Sequence, residues 1–375
     1  MRDSDHWDAA EGTPLYQVVG EDGALLRADD AVDPELALRL YRAMATVRVV
    51  DERMVTLQRQ GRISFYGAAT GQEATVIGTG LALEPTDWVV PALREGGITL
   101  LRGMPLSTYV DQLFGNGTDV EKGRQMPCHY GHRDVRYVTL SSCIANQLQH
   151  AVGIALAARL QGETTVAAGY MGDGATSEGD FHVALEFAAQ LRAPTLFVCQ
   201  NNQWAISTGS RQQSRARTLA SKAKGYGVRG YRVDGNDAVA VYRVTQAALQ
   251  HIRQSGQPAF IEALTYRIGA HSTSDDPTRY RDERITEAWK LRDPLIRLRA
   301  LLGRLGAWDD AADAALQAEL TERLKAEVVR AESTAPPALA TLFEDVWATP
   351  PWHLERQRAA LEQHLSAHPG AAENH

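Results

Sequence analysis

The sequence predicts an α/β protein, an open and mostly parallel sheet with helices on both faces, followed by a helical carboxyl-terminal extension. Three observations carry that expectation. Short apolar runs alternate with amphipathic stretches through the middle of the chain. Each strand–helix–strand unit is long enough for a right-handed crossover between parallel strands. Beyond about residue 283 the chain turns rich in Ala, Leu, Glu and Arg, a helical composition interrupted only at "STAPPA" and "ATPPW".

Taken in order, residues 1–33 are polar, carry turn signals such as "GEDG", and read as an amino-terminal arm. Helical spacing begins at Pro34: Leu36, Leu40, Ala43, Met44 and Val47 recur at three and four residues. Asp33 stands as cap, Pro34 occupies the first turn and Gly61 is the stop. The run "TTVAAGYM" (164–171) is a buried-strand pattern. The helix after it has Ser177 and Asp180 at capping-box spacing and Phe181, Ala184, Leu185 and Ala188 on one face. "PTLFVCQ" is the next strand. The form repeats in "YRVDG", "NDAVAVYRVTQAALQHIRQ" and "PAFIEALTYRIGAH". These units set a main α/β domain at 34–282 and a helical extension at 283–375.

Composition narrows the function. At 375 residues the chain can bury a large core, and 44% hydrophobic with 23% charged residues is ordinary for a globular protein. A net charge of -7 argues against nucleic-acid binding. No window approaches the apolar length of a membrane span, and the start "MRDSDHWDAAEG" resembles neither a signal nor a transit peptide. Cys128, Cys143 and Cys199 form no CxxC pair and suit a reducing compartment, so a cytoplasmic protein is expected.

Two strands end at oxygen-bearing side chains about thirty residues apart, in "YMGDGATSEG" and "QNNQWAIST". In a parallel sheet, ligands bind beyond the carboxyl ends of the strands. Asp173 and Asn202 can therefore face each other across one crevice. Gly172 and Gly174 permit close backbone approach, and the amides of the following helix favour a phosphate. A carboxylate, an amide oxygen and a carbonyl form a hard, oxygen-only set suited to magnesium. Alone, "GDG" is more often a plain turn and "NN" a loop; their joint order and spacing are the signal.

That stretch resembles the diphosphate-binding signature of thiamine-diphosphate enzymes. The resemblance then runs along nearly the whole chain. "RQGRISFYG", "EKGRQMPCHYG", "SSCIANQ", "SEGD", "NNQWAIST", "RVDGND" and "TYRIGAHSTSDDPTRYR" look like the alpha subunit of branched-chain 2-oxo acid dehydrogenase, the decarboxylating component of its complex. The implied fold is the diphosphate-binding domain of the thiamine-diphosphate fold.

By that resemblance Asp173, Asn202 and the carbonyl of Trp204 are magnesium ligands. Gly172, Gly174 and Gln200 line the diphosphate, with Leu93 beside it, and Arg94 ion-pairs with it. Without the resemblance, Arg94 would read as half of a surface ion pair. His271 becomes a cofactor- and substrate-facing imidazole, where a solvated loop residue would otherwise be expected. Ser142 and Ile144 offer backbone contacts to the aminopyrimidine, and Ser141, Cys143, Asn146 and Gln147 a potassium site, in what is first of all a helix start. His129 either approaches the substrate funnel or has a structural role. Ser272 and Ser274 lie in the loop whose animal counterparts are phosphorylated; here they read as turn chemistry.

The chain departs from the family pattern at five places, one of them Asn146, where relatives commonly carry Thr. Leu93 stands where Tyr is common, Gln200 where animal relatives carry Arg, and Asp173 where animal branched-chain enzymes carry Glu. Gly67 stands where pyruvate-type relatives place His. The implied activity is oxidative decarboxylation of branched-chain 2-oxo acids with acyl transfer to a lipoyl group, in branched-chain amino acid catabolism. Implied partners are a beta subunit, in a two-alpha, two-beta heterotetramer, and a lipoylated acyltransferase. Pyruvate and acetoin dehydrogenase alpha subunits share the diphosphate site, and a partner-binding homologue without catalysis is the rival from another class. A magnesium phosphohydrolase leaves the Asn pair and the His loop unexplained.

Overall fold

A computed structural model describes residues 15–368. The "MRDSDHWDAAEG" start and the last seven residues of the extension lie outside the described residues. Seven strands are present: β1 Trp88–Val90, β2 Ala167–Gly172, β3 Thr195–Asn201, β4 Trp204–Ala205, β5 Thr208–Gly209, β6 Arg229–Asp234 and β7 Ala259–Leu264. Five of them form one sheet in the order β1-β2-β3-β7-β6, every neighbouring pair parallel. β4 and β5 form a separate antiparallel hairpin.

Side-chain alternation along the strands explains the two-sided burial. Ala168, Tyr170, Leu196, Val198 and Ile261 join one apolar cluster with the helices Pro34–Arg59, Glu73–Ala82 and Ala238–Ser255. Ala167, Met171, Phe197, Cys199 and Phe260 face the opposite way, against Asn146–Leu160 and Gly179–Gln190. The Asp33 side chain caps the amide of Glu35, and the first helix ends at Arg59, ahead of Gly61 at φ 73.

Four local readings change. The short strand β1 escaped sequence reading because three residues show no period. The expected capping box does not form: Gly179–Gln190 starts after Glu178, with no side-chain cap. Ser177 instead ends a one-turn 3-10 helix, Asp173–Ser177, and donates to the Gln213 carbonyl. The amides that follow Gly174 therefore belong to that single turn, because the α-helix begins later. Finally, the extension is no appendage at its start. Helices Pro294–Arg304 and Asp310–Ser333 pack on Pro34–Arg59 and share its core through Leu298, Leu302, Leu324 and Val328. Helix Trp352–Ala367 buries no residue.

The described part of the arm runs along β6. Tyr16 bridges Val233, and the Val18 and Val19 amides donate to Asp237 at 2.7 and 2.8 Å. Buried Arg297 closes this junction, donating to Asp234 at 2.8 Å and to the Val19 carbonyl, with Asp237 3.6 Å away. Removing one partner of a buried charge network leaves the others desolvated and unpaired. Arg297→Ala is expected to lower the unfolding free energy by about 3–5 kcal/mol, measured by urea denaturation; a loss below about 1 kcal/mol would make the junction incidental.

Candidate functional site

β2 and β3 are hydrogen-bonded neighbours in parallel register, with Gly172 opposite Gln200. Their carboxyl ends therefore bring Asp173 and Asn202 to the same cavity, of about 480 Å³. Leu93, Arg94, Ser142, Ile144, Gly172, Gly174, Gln200, Trp204 and His271 also line it, as do Ser141, Cys143, Gln147 and His129. Asn146 does not; it lies one residue before Gln147, at the start of the Asn146–Leu160 helix.

The glycines contribute space. Gly172 has an ordinary φ of -85, and a Cβ there would meet nothing within 4 Å. A Cβ on Gly174 would strike that of Ala205 at 2.5 Å, so this glycine lets the β4–β5 hairpin close over the strand ends. Among the described residues, four of the eight non-glycine residues with positive φ, Cys128, Ala145, Gln203 and Ile206, adjoin or line the cavity. Such backbone conformations cost energy and cluster where a site needs a particular geometry.

Asp173 is buried and accepts a hydrogen bond from Ser210 at 2.6 Å. Burial raises its pKa to about 6, offset in part by Ser210. Among the described residues no Lys, Arg or His lies within ion-pair distance of it. The Asn202 amide is fixed at both ends: its oxygen accepts from the Trp204 amide at 3.1 Å and its nitrogen donates to Gln72 at 2.9 Å. Among the described residues there is no cluster of three or more His, Cys, Asp or Glu with metal-site geometry. The donors at the strand ends are one carboxylate, one amide oxygen and backbone, a set that fits a cation retaining other oxygen ligands.

Arg94 is buried rather than in a surface pair. It donates to the carbonyl of His271 at 2.8 Å and to that of Ala68, with no carboxylate in ion-pair reach among the described residues. Burial, reinforced by Arg267, lowers its pKa to about 10. A buried guanidinium without an acid is a site for an anion. Its neighbour Glu95 accepts from the Ala92 and Leu93 amides at 2.8 and 2.9 Å, pinning the turn that carries Arg94. Gln200 donates its amide nitrogen to Glu95 as well.

Sequence reading missed Gln72, Glu95 and the residues that hold the His271 loop. Arg281 donates to the carbonyls of Arg267, Ile268 and Gly269. Asp275 accepts from the His271 amide at 2.7 Å and from the Tyr280 hydroxyl at 2.5 Å, and that hydroxyl also accepts from Arg267. Arginines on either side of the His271 loop, Arg267 in "TYRIGAH" and Arg281 in "TRYR", are the available signal. Across the cavity, the Ser142 hydroxyl and His129 Nε2 lie 2.9 Å apart. Ser141 accepts from the Cys143 amide and from Asn146, while the side-chain oxygens of Asn146 and Gln147 are buried without a hydrogen-bond partner. Gly67 sits against Leu93, whose nearest carbon would be 3.4 Å from an added Cβ, so two departures from the family pattern share one wall.

His271 is held neutral: burial first, then Arg94 and Arg267, lower its pKa from 6.5 to about 4. Below pH 6.5 the unfolded chain takes up a proton that the folded chain refuses, so stability falls as pH drops through this window. Burial lowers the pKa of His129 and His251 too, and they act in the same direction. His271→Gln is expected to reduce the slope of stability against pH by up to about one proton between roughly pH 6.5 and 4. Denaturation curves with an unchanged slope would mean that the imidazole is not shielded.

Residues 41–340 match the family described as Dehydrogenase E1 component. The chain is 42% identical over 362 residues to "2-oxoisovalerate dehydrogenase subunit alpha 2, mitochondrial" of Arabidopsis thaliana, covering 96% of this chain and 77% of that protein. It is 40% identical to the Dictyostelium discoideum alpha subunit over 362 residues, 95% of this chain and 82% of the relative. The Homo sapiens alpha subunit is also 40% identical, over 95% of this chain and 81% of its own length. These relatives are named as mitochondrial, which overturns the expected cytoplasmic placement. Sparse cysteine does not distinguish one compartment from another. Both comparisons give one answer: the chain belongs to the dehydrogenase E1 component family, among the branched-chain 2-oxo acid dehydrogenase alpha subunits.

Proposed function

We propose that the chain, joined to a beta subunit, carries out oxidative decarboxylation of branched-chain 2-oxo acids and passes the acyl group to a lipoyl group on an acyltransferase. The single observation that carries this reading is the meeting of Asp173, Asn202 and the acid-free Arg94 on one cavity. The family depends on thiamine diphosphate, which supplies the carbanion and electron sink for loss of carbon dioxide. The chain's own residues bind and orient. Asp173, the Asn202 oxygen and the Trp204 carbonyl would hold magnesium, whose charge answers the buried carboxylate. Arg94 would neutralise the diphosphate, matching phosphate geometry as an ammonium could not. Gly172 leaves room for it, and Gly174 lets the β4–β5 hairpin close beside it. Ser142 and Ile144 would present backbone to the aminopyrimidine, and the unpartnered oxygens of Asn146 and Gln147, with Ser141 and Cys143, would hold potassium.

His271, uncharged at neutral pH, is suited to hydrogen-bond the substrate end without adding a full charge. Phe65, Leu93, Met126 and Leu140 give that end apolar surface. With glycine at 67 beside Leu93, this wall favours a branched alkyl group over the small pyruvate methyl. The carboxylate that must face the aminopyrimidine is assigned to the beta subunit. Of those lining this cavity, Glu95 and Asp173 are already hydrogen-bonded and Glu178 stands at the exposed rim. Assembly would be a two-alpha, two-beta heterotetramer.

Reconstitution tests the reading. The purified chain alone should not decarboxylate any 2-oxo acid. With its beta subunit it should turn over 3-methyl-2-oxobutanoate with a higher kcat/KM than pyruvate. Decarboxylation by the lone chain, or a preference for pyruvate, would reject the corresponding part. Asp173→Asn should weaken magnesium-dependent thiamine diphosphate binding by about a hundred-fold, about 2.7 kcal/mol, since a neutral amide replaces the only carboxylate at the cation. Calorimetry giving an unchanged Kd would remove Asp173 from the site.

A further inference from the structure

Two glutamines border the diphosphate end of the cavity, and hydrogen bonds on the far side of each fix which end of its amide is free. The first chain of bonds starts at a backbone N–H, which can only donate. The Trp204 amide donates to the Asn202 oxygen, so the Asn202 nitrogen must be the end that donates to Gln72 Oε1 at 2.9 Å. Gln72 Nε2 is left over, buried and without a hydrogen-bond partner, on a fully buried residue that lines the cavity. The second chain starts at a carboxylate, which can only accept. Glu95 Oε2 takes the Ala92 and Leu93 amides, and Oε1 takes Gln200 Nε2. Here the leftover atom is Gln200 Oε1, again buried and unpartnered. Leaving a buried polar atom unpaired is unfavourable, so each calls for a ligand atom of opposite character.

We infer that Gln72, and not Gln200, is the neutral donor to the anion in this cavity, acting beside Arg94. Gln200, turned by Glu95, presents an acceptor that suits water or a cation's hydration shell and opposes a phosphate oxygen. The inference rests on the diphosphate reading of the cavity and changes the expected role of Gln200 within it. Glu95 becomes a positioning residue: it holds the Arg94 turn and sets the polarity of the wall at Gln200.

The test titrates inorganic pyrophosphate with magnesium into the full chain and its variants by calorimetry, with melting temperatures as the folding control. Gln72→Met should lose about ten-fold in affinity, the size of one hydrogen bond to a charged group. Gln200→Met should stay within about two-fold of the parent. Glu95→Gln keeps an oxygen for the two backbone amides but sets a donor against Gln200 Nε2, so Gln200 turns over and offers N–H to the cavity. The Gln72→Met, Glu95→Gln double variant should therefore recover most of the lost affinity. A Gln72→Met chain that binds like the parent, or an equal loss in Gln200→Met, would overturn the inference. Loss without recovery in the double variant would do the same, assigning Gln72 only to holding Asn202. A parent chain that binds no magnesium pyrophosphate would instead bring down the diphosphate reading and this inference with it.

Discussion

The parallel pairing of β2 with β3 is the constraint on which the site depends. Gly172 lies opposite Gln200 in the ladder, so both strands run out at the same level of the sheet. The next residues, Asp173 on one and Asn202 on the other, then have no choice but to share a crevice. Parallel strands are buried on both faces, which is why the approach to each end is an unbroken apolar run and the end itself an abrupt change of chemistry. Slipping that register by one residue would turn Gln200 away from the cavity and put Asn201 in its place.

Around that edge the fold concentrates groups that are unstable without a ligand. Asp173 is a buried carboxylate without a cation, and Arg94 a buried guanidinium without an acid. One end of each side-chain amide, Gln72 Nε2, Gln147 Oε1 and Gln200 Oε1, is buried without a partner among the described residues. Each costs free energy when its charge or polar atom has no partner, and the cost is carried by the large two-faced core rather than by local compensation. A bound metal diphosphate would satisfy several of them at once. Binding and the stability of this edge are therefore coupled.

The second layer does the orienting. Glu95, Arg281, Asp275 and Tyr280 bind backbone or the side chains of other residues rather than a ligand. Together they fix the turn bearing Arg94 and the loop bearing His271, which meet where Arg94 donates to the His271 carbonyl. The links within each segment are local, but the one that joins the two segments is not: Arg94 and His271 are 177 residues apart in the chain.

The sequence alone determined a mostly parallel sheet, the approximate limits of β2, β3, β6 and β7, and the meeting of Asp173 and Asn202 at one cavity. These follow from local periodicity and from the rule that ligands sit beyond parallel strand ends, both written in contiguous residues. The motif series likewise identified the family, and the expected residues other than Asn146 line the cavity. Tertiary structure alone decided the rest. Whether Arg94 stands in a surface pair or lies buried depends on what packs over it, and a sequence does not state burial. Which end of Gln200 or Gln72 faces the ligand depends on hydrogen-bond partners more than a hundred residues away. A side chain's type fixes what it can donate or accept. Only the fold fixes what remains free after its neighbours have been served.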